Sequence, residues 1–117
     1  MYMLYFYKQT PQPMTKKRLL QIDKRIGKIK AELAAIGPMR PGSLTRQYKD
    51  SGSASGAYYQ LSYTLDMKSR TDYIPRNWVP QVRAQVANYK RFKSLSAEWV
   101  ALSIERCRLT MKLTRRP

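Results

Sequence analysis

The chain has no histidine, a single cysteine and only seven acidic residues in 117. Each shortage closes off some chemistry. Without histidine there is no imidazole acid or base, no histidine metal ligand and no Cys–His pair. One cysteine, Cys107, cannot form a disulfide within the chain, which suits a reducing compartment and predicts a cytoplasmic protein. On its helix it reads as a small core residue. The acids Asp23, Glu32, Asp50, Asp66, Asp72, Glu98 and Glu105 are scattered, and no pair has the sequence context of a two-metal nuclease. The small polar stretch DSGSASG, 50–56, lacks the lysine and the strand-to-helix setting of a phosphate-binding loop. The expectation is a protein without catalytic residues, metal or cofactor. No apolar run is long enough to span a membrane. The apolar start, MYMLYFY, is short and has no basic residues before it, so it does not read as a signal peptide. Residues 1–13 read as an arm closed by KQTPQP: an edge strand, a docking peptide, or an artefact of start choice with Met14 as the alternative.

What is abundant is positive charge. Lys and Arg number 23 against seven acids, for a net charge of +16. A domain of this size more often carries a charge of magnitude about 2–8. Such an excess opposes compaction and favours polyanions, of which nucleic acid is the commonest. The cations are spread over the chain, and nine tyrosines supply material for a core, so the chain is expected to fold.

The stretch 42–73 reads as three strands. Residues 43–49 and 57–64 flank the flexible 50–56 loop, Leu65-Asp66 turns the chain, and 68–74 runs to the stop at Pro75. Alternation sorts the faces. Tyr59, Leu61 and Tyr63 share one side of the middle strand; Tyr58, Gln60, Ser62 and Thr64 share the other. Leu44, Arg46 and Tyr48 oppose Ser43, Thr45, Gln47 and Lys49 in the first strand. Lys68, Arg70 and Asp72 oppose Ser69, Thr71 and Tyr73 in the third. One face needs cover. The other offers hydroxyls, amides and cations, the groups that bond base edges and phosphates. A polar face is also what the wet side of an antiparallel sheet looks like, and the charge of the whole chain decides for a polyanion.

Residues 15–36 form a helix with Leu19, Ile22, Ile26, Ile29, Leu33 and Ile36 at alternating three- and four-residue steps, a seam for a coiled coil or helical hairpin. Thr15 is the expected N-cap, Gly37-Pro38 the stop, and Gly27 a site for close helix crossing. The outer face is nearly all lysine and arginine. A second helix, capped by Asn77, runs to about residue 113, with Val82, Val86, Tyr89, Phe92, Leu95, Trp99 and Leu102 as its stripe and one phase slip near Phe92. The predicted fold is α+β: an N-terminal helix, a three-stranded antiparallel sheet and a long C-terminal helix, with the helices packed as an antiparallel hairpin. Residues 14–117 are expected to be one α-βββ-α domain.

The strings G-S-L-T-R-Q-Y-K, G-A-Y-Y-Q-L-S-Y-T, M-K-S-R-T-D-Y-I and N-Y-K-R-F-K resemble a family of small basic bacterial and archaeal proteins of unknown function associated with mobile elements. The order of three strands and a helix, opening on Gly-Ser, is similar to the arm-binding domain of tyrosine recombinases. That likeness implies a sheet lying in the DNA major groove with a helix behind it. It would turn Thr45, Gln47, Lys49, Tyr58, Gln60, Ser62, Lys68 and Arg70 towards DNA.

The expected function is therefore non-catalytic binding of nucleic acid, duplex DNA before RNA, in a nucleoid-associated setting. Arg46, Arg83 and Arg91 join Lys49, Lys68 and Arg70 as phosphate ligands. A transposase, recombinase or other large nucleic-acid enzyme is the expected protein partner, and no membrane is. The other reading is an adaptor whose helical seam forms a homodimer or docks on such an enzyme.

Overall fold

The computed structural model describes residues 13–50, 52 and 55–114. The arm expected over 1–13 lies outside them except for Pro13, as do Arg115 and Arg116. The element order is α1 (Pro13–Ala34), β1 (Ser43–Asp50), β2 (Ser55–Leu65), β3 (Lys68–Ile74), a 3-10 turn (Arg76–Trp78) and α2 (Val79–Thr114). The α+β architecture read from the sequence is the one observed. The described residues divide into two compact units, one of α1 with the 94–114 part of α2, the other of residues 36–93.

In the first unit α1 runs antiparallel to α2. Arg18 pairs with Glu105 at 2.7 Å and Arg25 with Glu98 at 2.6 Å, so numbers rise on one helix as they fall on the other. Arg106 reaches back to Asp23 at 2.6 Å. The α1 seam is used here: Ile22 and Ile29 are fully buried, and Ile26 and Leu95 nearly so. The Lys30 ammonium lies 5.3 Å from the centre of the Trp99 ring. Three local expectations change. The helix begins at Pro13, so Thr15 is inside it rather than capping it. It ends at Ala34, where the Ala35 amide donates to both Ala31 and Glu32 carbonyls and tightens the last turn, leaving Ile36 beyond the helix. Gly27 faces open space, so it marks no close crossing.

In the second unit the sheet order is β1-β2-β3, antiparallel throughout. Asp50 pairs with Ser55, so the hairpin is tighter than the 50–56 loop expected. The β2–β3 turn has two central residues, Asp66 and Met67, with φ of 52° and 63°. Paired positive φ is what a type I′ hairpin demands, because its twist matches that of the strands. The core is Leu61, Ile74, Val79 and Val82, with Leu44, Tyr59 and Val86 packed on it. The first turns of α2 thus cover the Leu61 face. Asn77 lies in the 3-10 turn and does not cap α2; Pro80 sits in the first turn of α2, where its missing N–H costs nothing. The linker before β1 is tied to α2: Arg40 N–H donates to the Gln85 carbonyl and Asn88 Nδ2 to that of Pro38. The slip in the α2 stripe near Phe92 falls where the helix passes from one unit to the other, after Lys93.

Candidate nucleic-acid interface

Register assigns every side chain of the sheet to a face. Thr45 lies opposite Gln60 and Gln47 opposite Tyr58. On the other side Gln60 lies opposite Tyr73 and Ser62 opposite Thr71. Ser43, Thr45, Gln47, Lys49, Tyr58, Gln60, Ser62, Thr64, Ser69, Thr71 and Tyr73 therefore share one face. All are exposed except Tyr58 and Gln60, which are half-buried. Tyr73 is 67% exposed.

Local bonds orient the row. Gln47 Nε2 donates to Thr45 Oγ1 at 3.3 Å, and Thr45 Oγ1 donates to the Gln60 carbonyl at 3.4 Å. Lys49 is held by shape. A Cβ on Gly56 would lie 3.0–3.3 Å from the Lys49 stem, so this glycine, at φ +67°, leaves room for the lysine to cross.

Two cations expected beside Gln60 are not there. Leu65 pairs with Lys68 and Tyr63 with Arg70, which puts Lys68 and Arg70 on the Leu61 face. Arg46, opposite Tyr59, is on that face too, its guanidinium 5.2 Å from the centre of the Tyr48 ring. All three are exposed and stand on the two edge strands, clear of the core. Arg83 and Arg91 lie on the first part of α2 and are exposed. Thr45, Gln47, Lys49, Tyr58, Gln60 and Ser62 form one surface; Arg46, Lys68 and Arg70 flank it from behind.

Behind the sheet is a cluster that the sequence did not suggest. Arg40 binds Asp72 at 2.8 Å and stacks 4.9 Å from the centre of the Tyr63 ring, while the Tyr63 hydroxyl donates to Asp72 at 3.4 Å. The hydrogen bond from Arg40 holds the Asp72 carboxyl below its ordinary range, with help from Tyr63 and the charge of Arg70. Asp72, on the same strand as Lys68 and Arg70, is thus engaged in a structural bond. The same happens in the helical unit, where Arg25 and Arg18 hold Glu98 and Glu105 below the ordinary carboxylate range. Lys16, Lys17, Lys24 and Lys28 are left exposed on the outer side of α1.

Among the described residues no three His, Cys, Asp or Glu side chains gather as a metal site, and no helix is long and apolar enough to cross a membrane. Cys107, expected in the core, is exposed. A protein family described as a domain of unknown function (DUF6788) matches residues 19–84, more than half of the chain. No curated protein and no solved structure matches it.

Proposed function

The chain belongs to the family of that domain of unknown function, DUF6788, and from this premise we propose that it is a non-catalytic nucleic-acid-binding protein that lays its sheet in the major groove of duplex DNA. The open, uncharged-to-basic face carries this reading. Hydrophilic side chains capable of reading base edges are aligned on three strands and, among the described residues, mostly exposed, in a chain of net charge +16. Three strands about 4.8 Å apart make a platform roughly 10 Å across, which fits a major groove about 12 Å wide. Gln47 and Gln60 are the candidate base readers, since a side-chain amide can bond adenine through both of its groups. Thr45 and Ser62 support them. Lys49 meets phosphate from the face itself. Arg46 on one edge strand and Lys68 and Arg70 on the other point to the opposite face and would have to reach phosphate around the edges of the sheet. Arg83 and Arg91 add to the basic surround.

Tyr58 and Tyr73 favour a second reading. Both lie on the open face with Gln60 between them, and aromatic rings on a sheet can stack on unpaired bases of RNA. The adaptor reading is the alternative; of its α1 seam Ile22, Ile26 and Ile29 are buried, while Leu19, Leu33 and Ile36 are half-buried. Association with a mobile element, and with a transposase or recombinase, rests on the sequence resemblance.

Binding titrations over a range of salt test the proposal. Neutralising about six phosphates gives a log–log slope of about −5 on duplex DNA. Gln47→Ala with Gln60→Ala should relax sequence preference. Lys68→Ala with Arg70→Ala should weaken binding to every sequence alike and flatten the slope by about 2. A flat slope in the parent protein removes the proposal, and tighter binding to single-stranded RNA in competition selects the second reading.

A further inference from the structure

The cations of α1 are sorted by side. The helix carries seven lysines and arginines against two acids. Arg18 and Arg25 are bound by Glu105 and Glu98, and Lys30 lies against Trp99, so three of the seven turn to α2. The other acids of this unit are engaged as well: Asp23 holds Arg106, and Glu32 adds its charge to that of Glu98 at Arg25. Lys16, Lys17, Lys24 and Lys28 are exposed and pair with no acid among the described residues. Lys17, Lys24 and Lys28 stand in one file. At 3.6 residues per turn they fall within about 40° of one another and roughly 150° from the centre of the Ile22, Ile26 and Ile29 seam.

We propose that this file is a second phosphate-binding surface, which follows the backbone of duplex nucleic acid without reading its bases. It rests on the sheet reading only for the class of partner and uses none of its residues. Without a partner the file works against its own helix. Lys24 and Lys28 stand one turn apart, where like charges repel. Lys16 falls in a first turn that holds no acid, at the end of the helix dipole that disfavours cations. A line of anions relieves both. The length fits a polymer: Lys17 to Lys28 spans about 16 Å of helix axis, and duplex of that length carries about ten phosphate charges. Gly27 borders the file and faces open space. Next to exposed Ala31 it leaves a low place on which a nucleic-acid strand can close. The glycine thus has a use that helix crossing did not give it. Lysine supplies compact charges with rotatable donors, suited to phosphate rather than to the planar edges of bases. An anionic membrane surface fits less well. A helix lying on a membrane buries a broad apolar face, and the large apolar residues that α1 exposes are Met14 and Leu20.

Acetylation of the full-length chain with and without a duplex of about 20 bp, read lysine by lysine by mass spectrometry, tests this. Lys17, Lys24 and Lys28 should be protected severalfold. Protection of Lys49 and Lys68 reports separately on the sheet, so either reading can fail without the other. Three further phosphate contacts steepen the log–log salt slope of the parent from about −5 to about −8. Lys17→Gln with Lys24→Gln and Lys28→Gln, which keeps helix propensity, should flatten it by about 2.7. Lys90→Gln with Arg108→Gln and Lys112→Gln removes the same charge from exposed positions of α2 and should flatten it by about 1 or less. No protection of the file at any duplex concentration, an equal change of slope from both triple variants, or protection by phosphatidylserine vesicles and not by duplex overturns the proposal.

Discussion

Gly42 joins the linker to β1, and replacing it should expose how the sheet is locked to its cover. Its φ is +140°, and a Cβ built there lies 2.7 Å from Leu61 Cγ and 2.8 Å from Cδ1. Leu61 is fully buried and cannot swing away. Gly42→Ala therefore carries two costs. The backbone conformation is close to glycine-only, worth about 1–3 kcal/mol. Overpacking against a fixed leucine adds about 1–3 kcal/mol. The sum, about 2–6 kcal/mol, is a large part of the 5–15 kcal/mol or so that holds such a chain together. Leu61→Ala alone should cost about 2–5 kcal/mol. In the Leu61→Ala background the clash is gone, and Gly42→Ala should lose only its backbone share. Urea melts of the parent, the two single variants and the double variant measure this as a coupling of about 1–3 kcal/mol. The reasoning is refuted if Gly42→Ala alone stays within about 0.5 kcal/mol of the parent, or if its cost is the same in both backgrounds.

Met67 is 97% exposed and held at positive φ in the β2–β3 turn. Met67→Gly should raise stability by about 1 kcal/mol, seen as a higher urea midpoint, because glycine adopts that conformation freely. Acid should weaken the protein. Asp72, Glu98 and Glu105 have folded pKa values depressed by hydrogen bonds from Arg40, Arg25 and Arg18. A depressed carboxyl stabilises fully above the unfolded carboxylate range, and the gain is lost as pH falls through the folded value. The urea midpoint should be level above about pH 5 and decline below about pH 4; a midpoint that climbs on acidification contradicts these pairs. The decline should be shallow, since the pairs are partly exposed and screened by solvent.

The periodic parts of the fold were legible. The α1 seam, the three strands and the long second helix are written in spacing, and spacing decides which side of an element is buried. The helix ends were less so. Thr15 and Asn77 have the chemistry of caps, but Pro13 suits a helix start as well, and a 3-10 turn intervened before α2. Cys107 was misplaced because a small residue on a helix gives little indication of which side it faces. The most consequential difference is at Lys68 and Arg70. Charge suggested that they lie beside Gln60, whereas strand geometry says otherwise. A two-residue turn at Asp66 and Met67 pairs Leu65 with Lys68, and alternation then carries Arg70 to Tyr63 and Tyr73 to Gln60. Counting from the turn would have found it, but Asp-Met is not a turn sequence that announces itself. The Arg40–Asp72–Tyr63 cluster left no local mark, since its members meet only once the linker folds back on the sheet.

Backbone amide shifts followed by NMR, as duplex DNA is added to labelled protein, test most directly whether the sheet's open face meets nucleic acid. The largest changes should fall on Thr45, Gln47, Tyr58, Gln60, Ser62 and Tyr73, with Lys49 among them. Changes confined to the helices, or none at stoichiometric duplex, would contradict it.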